Sequence, residues 1–178
     1  MMTDGPGLPE TDPDEIASFW ELARGRVGLG RLTAVTGAGV AASVPPPAWA
    51  FGDSPRVADE LLDLVLAGTK TATTGALWEY EEAAGSIPVR GDLSIVLDGR
   101  SHPRALIRTT EVKVARFDQV DVEHARLEGE DDLSLERWRV EHERYFRRVL
   151  RDAGRTFSET MPVVLEQFEL RFPRVSER

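Results

Sequence analysis

Apolar residues recur along this chain with two different periods, and each change of period marks an element. Ile16, Phe19, Trp20 and Ala23 fall three and four apart, which predicts a helix with one apolar stripe. Asp12-Pro13-Asp14-Glu15 opens it with a capping acid, a first-turn proline and a glutamate three residues past the cap; its end is expected near Gly25. Ser54-Pro55 announces a second helix in the same way. Its rows Val57, Leu61, Val65 and Ala58, Leu62, Leu66 bury one side, and Gly68 stands where a helix ends in a left-handed turn. Lys70–Trp78 then leads away as loop or strand, with Trp78-Glu79-Tyr80 at its far end and a Gly85-Ser86-Ile87-Pro88 turn beyond.

The period then shortens to two. Asp92–Leu97 reads as a strand, Asp98-Gly99-Arg100-Ser101 as a hairpin turn, and Ala105–Ala115 as the returning strand. Phe117–Glu128 reads as a turn and short helix. A third long helix, capped by Ser134 or Asp132, sets Leu135, Trp138, His142, Tyr145, Phe146 and Val149 on one face and most of its arginines on the other, ending near Gly154. Val163, Leu165, Phe168 and Leu170 place a last strand over Pro162–Phe172. Helices alternating with hairpin-joined strands predict an α+β class, and a small, partly closed β-barrel flanked by helices is the expected architecture. The expected organisation is a disordered tail over 1–13, a single domain over 14–172 and a tail over 173–178. The domain includes a Gly/Ala/Pro-rich connector at 25–48, where Pro45-Pro46-Pro47 forbids a helix.

Composition narrows the function. Among 178 residues 41% are apolar, in keeping with a globular protein, and no cysteine is present, so disulfides, thiolate metal sites and cysteine nucleophiles are excluded. No apolar run of ~18 residues predicts a membrane span, and the Met1-Met2-Thr3-Asp4 start lacks the pattern of a signal peptide. A cytoplasmic protein is expected. The net charge of −9 argues against coating of long DNA or RNA but leaves room for a pocket holding one nucleotide. Asp118–Asp132 carries seven acids against Arg126 alone, and Arg137–Arg155 carries seven arginines against three acids. That segregation reads either as internal neutralisation or as a basic rim beside an acidic loop.

Lysine is scarce here. Of 22 basic residues only Lys70 and Lys113 are lysines, so a lysine kept inside Gly68-Thr69-Lys70-Thr71-Ala72-Thr73-Thr74 points to a need for a primary amine. A desolvated amine can lose its proton, whereas a guanidinium stays charged. The plainer alternative is that Lys70 complements the negative end of the preceding helix.

Several segments together resemble the ASCH domain family. They are Ala48-Trp49-Ala50-Phe51-Gly52-Asp53, Ala58-Asp59-Glu60-Leu61-Leu62, the Gly68–Thr73 turn, Trp78-Glu79-Tyr80-Glu81, Gly91–Gly99, Thr109-Thr110-Glu111-Val112, Glu128-Gly129-Glu130, Ser134-Leu135 and Trp138-Arg139. His142 and Phe146 follow at family-like spacing. The likeness spans roughly 14–172 and departs at Asp131, where relatives commonly carry Gly, and in the long connector. It implies a PUA-like fold with a cleft that contacts RNA or a nucleotide-like small molecule. Some small members are amidohydrolases acting on acylated cytidine, and ribonuclease activity is attributed to others.

The resemblance implies catalytic roles for Lys70, Thr73 and Glu128. In that scheme a desolvated Lys70 takes the proton of Thr73, whose hydroxyl attacks the amide carbonyl or positions a water. Glu128, with its pKa raised by burial, protonates the leaving amine. Thr71, Trp78, Tyr80, Arg108, Thr109 and Ser134 are the expected substrate contacts. Against each stands a structural reading: Thr73 as a strand threonine, Glu128 as a solvated acid, Trp78 and Tyr80 as core. His142, on an apolar helix face, reads as a core histidine, and His102 and His124 lack a ligand spacing. No metal or cofactor is expected. The alternatives to an amidohydrolase are a non-catalytic RNA-binding module and a ribonuclease.

Overall fold

The caps written in the sequence start their helices where expected. In the computed structural model, which describes residues 8–27, 44–82 and 86–173, Asp12 Oδ1 accepts from the Asp14 amide at 2.9 Å and begins α1, Pro13–Arg26. Ser54 caps α2, Pro55–Ala67, which ends at Gly68 with φ of 76°. Between them lies a two-residue strand β1, Ala48–Trp49. The first seven residues of the expected tail, 28–43 of the connector, Gly85 of the expected turn and 174–178 lie outside the described residues.

Strand β2, Ala72–Ala76, is buried at all five positions. It runs directly into a short helix α3, Leu77–Glu82, so Trp78 and Tyr80 are helical and not the end of a loop or strand. The Glu79 side chain accepts from the Ala76 amide at 3.1 Å and satisfies a donor that opens this helix. Strands β3, Leu93–Leu97, and β4, Pro103–Arg116, form the expected hairpin. A 3-10 turn at Phe117–Gln119 leads to α4, Val122–Glu128, then α5, Leu135–Asp152, and β5, Pro162–Phe172. The strands form one mixed five-stranded sheet in the order β1-β3-β4-β5-β2. The class is α+β as expected. The sheet is not closed: its outer strands β1 and β2 are not paired with each other among the described residues.

The chain divides into two compact units. One comprises the described residues of Thr69–Arg90 and Thr109–Phe168; the other comprises Gly91–Arg108 with the described residues before Thr69 and after Phe168. In the first, Phe117 stacks on Trp138 with ring centroids 5.3 Å apart and meets Phe146 and Phe157 edge-on. Val120, Ala125, Leu150 and Val163 complete its apolar core. In the second, the α1 stripe of Ile16, Trp20 and Ala23 packs with Ala58 of α2 and with Ile95, Leu97 and Leu106 of the hairpin.

Candidate functional site

The polar cluster begins with a clasp on the Lys70 loop. The Thr71 amide and hydroxyl both donate to the Leu127 carbonyl, at 2.7 and 3.2 Å, and the Phe168 amide donates to the Thr71 carbonyl at 2.8 Å. The loop is thereby held to the C-terminal turn of α4 and to β5. That turn ends at Gly129 with φ of 71°, where a Cβ would meet the Thr69 carbonyl oxygen at 2.4 Å. Only glycine permits both the left-handed conformation and this approach.

Held in this way, Lys70 is 1% exposed. Its Nζ lies 3.2 Å from Glu128 Oε2 and 2.5 Å from Glu130 Oε1. Glu128 is also 1% exposed and collects donors from four other side chains. The Thr74 hydroxyl donates to its Oε1 at 2.6 Å and the Trp138 indole N–H at 2.7 Å. His124 Nε2 is 3.3 Å from Oε1, and His142 Nε2 is 3.4 Å from Oε2. His142 stacks on Trp138 and its Nδ1 donates to the Trp138 carbonyl at 3.0 Å.

The electrostatics follow from this crowding. Burial opposes every charge here, yet the neighbours outweigh it. Glu130 and Glu128 hold the Lys70 ammonium above the usual lysine range. The His142 and Lys70 charges hold Glu128 well below the usual carboxylate range. The Glu128 charge and its hydrogen bond raise His142. Both shifts run against the expected charge states, favouring the Lys70 ammonium over a neutral amine and the Glu128 carboxylate over a neutral acid.

The three implied catalytic residues are not brought together as a set. Lys70 and Glu128 meet, but the threonine on the carboxylate is Thr74. Thr73 stands opposite Glu166 in the β2–β5 register, on the face turned away from Thr74. On that second face Thr109 donates to Glu166 Oε1 at 2.6 Å. Tyr80 is buried, and burial with the Glu166 and Glu79 charges pushes its hydroxyl up. Trp78 is half-buried with the Arg155 guanidinium 5.1 Å above its ring. Ser134 caps α5 by accepting from the Arg137 amide at 3.1 Å. Arg108 belongs to the other unit, where it pairs with Glu169 at 2.7 Å. The arginines of α5 are largely matched along the helix itself, Arg137 and Arg144 by Glu141 and Arg147 by Glu143.

A cleft of about 290 Å³ opens beside the cluster, walled by Glu111, Lys113, Gln119, Asp121, Glu123 and Gln167, with Ala115 and Leu165 as its apolar part. His124 belongs to this wall as well as to the buried cluster. Both lysines of the chain thus serve this region, Lys70 in the core and Lys113 in the cleft. Among the described residues no group of three His, Cys, Asp or Glu side chains is placed to hold a metal ion. Sequence reasoning missed Thr74, His124, Trp138 and His142 as partners of Glu128, and Glu130 as a partner of Lys70. Two pairs carry a signal, since His124–Glu128 and Trp138–His142 are each four apart on a helix and share a face.

A family model for the ASCH domain matches residues 47–171. The crystal structure of protein EF3133 from Enterococcus faecalis V583 is 30% identical to this chain. That match covers 88% of each chain at a TM-score of 0.72. The crystal structure of an ASCH domain from Lactobacillus crispatus JV V101 is 28% identical, covering 82% of this chain and 93% of that one at a TM-score of 0.67. No curated protein matches the chain.

Proposed function

Because this chain belongs to the ASCH domain family, we propose that the Lys70–Glu128–Thr74 cluster is the acid–base core of an amidohydrolase. Its substrate is a modified nucleoside carrying an N-acyl group, held in the neighbouring cleft. One observation carries the reading. A lysine and a glutamate, both sealed from solvent, meet across 58 positions of chain, with the Thr74 hydroxyl on the carboxylate. Burying ions costs several kcal/mol each even after relaxation, roughly offset only when the partners are well placed. Such clusters are concentrated where chemistry uses them.

The charge states assign the roles. Glu128, held ionised, is the base; Lys70, held protonated, supplies a fixed positive field to the anion that forms at the carbonyl. Water adds to the acyl carbon while its proton is drawn, through the Thr74 hydroxyl, to Glu128 Oε1. The carbon–nitrogen bond then breaks as that proton returns to the leaving amine, giving acid and amine from amide and water. The cleft sets three carboxylates, Glu111, Asp121 and Glu123, against one lysine. That balance repels phosphate and favours a free nucleoside over an RNA strand.

The test is turnover of N-acylated cytidine and simple N-acyl amines by the wild type, Lys70→Ala and Thr74→Val. Wild-type turnover that falls by about 100-fold in each variant is expected, the usual scale for acid–base groups. Equal rates in all three proteins reject the proposal. Absence of turnover with RNA binding that weakens steeply as salt rises marks an RNA-binding module instead.

A further inference from the structure

His124 is, among the described residues, the titratable side chain shared by the buried cluster and the cleft wall. Its Nε2 lies 3.0 Å from Thr74 Oγ1 and 3.3 Å from Glu128 Oε1. The Thr74 hydroxyl commits its one hydrogen to Glu128, and an ionised carboxylate only accepts. Nε2 is therefore the atom that carries the hydrogen. A neutral ring in that tautomer keeps a lone pair on Nδ1, and no described residue hydrogen-bonds that nitrogen. The Asp121 carboxylate accepts from the His124 backbone amide at 2.9 Å and fixes the start of α4, the helix that brings His124 to the cleft wall.

We infer that His124 carries the proton between a water in the cleft and the buried Thr74–Glu128 pair, a role that rests on the amide-hydrolysis reading above. As the water oxygen bonds to the acyl carbon, its proton passes to Nδ1. The Nε2 hydrogen moves to Thr74 Oγ1, and the threonine hydrogen moves to Glu128 Oε1. Breaking of the carbon–nitrogen bond draws the same protons back to the leaving nitrogen, so each group ends as it began and nothing is oxidised or reduced. The charges that bear on the ring come from both sides. Glu128 lies in the core with Lys70 and His142 behind it; Asp121 and Glu123 of its own helix and Glu111 and Lys113 of β4 lie in the cleft.

His124→Gln tests this, because the amide retains a donor toward Thr74 but cannot titrate. The expected result is a kcat about 100-fold lower, a KM little changed, a thermal midpoint near the wild type's and loss of the acid limb of the pH–rate profile. A ring that only positions Thr74 would leave that limb in place. Wild-type kcat with the limb intact in His124→Gln overturns the inference and leaves the amidohydrolase standing. A wild type that turns over no N-acyl amide overturns the amidohydrolase and, with it, this role. If His124→Gln does not fold, the nitrogen-15 shifts of the wild-type ring decide. Hydrogen on Nε2 with Nδ1 bare is expected, and the opposite tautomer overturns the inference.

Discussion

The two compact units of this chain bury two carboxylates in opposite ways. Asp98, in the unit built on the β3–β4 hairpin, accepts from the backbone amides of Arg100 and His102 at 2.9 and 3.0 Å and from the exposed Arg104 at 3.1 Å. Its partners are mainly the turn it sits in, and those amides do not titrate. Glu128 instead faces side chains: an ammonium, two imidazoles, a hydroxyl and an indole. Apart from Asp98 and Ser101, the hairpin unit buries no polar or charged side chain among the described residues. The other unit buries Lys70, Thr73, Thr74, Thr109, His124, Glu128 and Glu166. A carboxylate satisfied by backbone locks a turn; one satisfied by titratable side chains can exchange protons. The difference separates a carboxylate that fixes a turn from one whose partners can titrate.

The strongest way to break the comparison is to remove one charge from the cluster. Lys70→Met leaves Glu128 and Glu130 facing each other without their cation and is expected to cost about 3–5 kcal/mol in urea unfolding. Leu106→Ala in the hairpin unit is expected to cost about 2–5 kcal/mol through the cavity it leaves. The two are told apart by pH: acid that protonates Glu128 relieves the first variant and not the second. If Lys70→Met proves as stable as the wild type, the cluster is not the energetic focus described here.

A smaller change sharpens the same point. Trp138→Phe keeps the stacking on Phe117 and removes only the indole donor to Glu128, and is expected to cost about 1.5–3 kcal/mol, as for hydrogen bonds to charged groups. Tyrosine fluorescence-detected unfolding against the wild type measures it.

The smallest effect is the pH slope. His142 is raised above the ordinary imidazole value of 6.5, so its contribution is complete below that value and is lost as pH rises through the folded pKa. Glu128 is lowered, so its contribution is complete above 4.5 and is lost as pH falls through its folded value. The Lys70 contribution is complete below 10.5 and is lost as pH rises through its folded value. The urea midpoint should therefore decline as pH rises above 6.5, and His142→Gln should flatten the decline. His102, in the hairpin unit, is also raised by its bond to Glu15 at 2.8 Å, but that pair is solvent-exposed. His102→Gln should change the slope little. A slope unaltered in His142→Gln would remove this histidine from the cluster's energetics.

Much of the fold was legible because its signals are local. Asp12-Pro13, Ser54-Pro55 and Ser134 cap helices where they stand, and Gly68 ends one, since a cap is decided by groups two or three residues away. The hairpin was legible from its alternation and its turn. The phase of β2 was not. All five of its positions are buried, so no polar alternation distinguishes the face of Thr73 from that of Thr74. The short helix α3 lacked a capping sequence of its own because it starts straight from a strand, with Glu79 satisfying an amide behind it.

By itself, the order of residues determined the α+β class, most element boundaries and the family, and the family resemblance singled out Lys70 and Glu128. Periodicity and capping act over a few residues, and the family's motifs lie in order along the chain. Only the tertiary structure decided which threonine meets the carboxylate, that two histidines and an indole join it, and which groups hold their charge. A pKa depends on everything buried beside a group, and Glu130, 60 positions from Lys70, reverses the sign that burial alone would give.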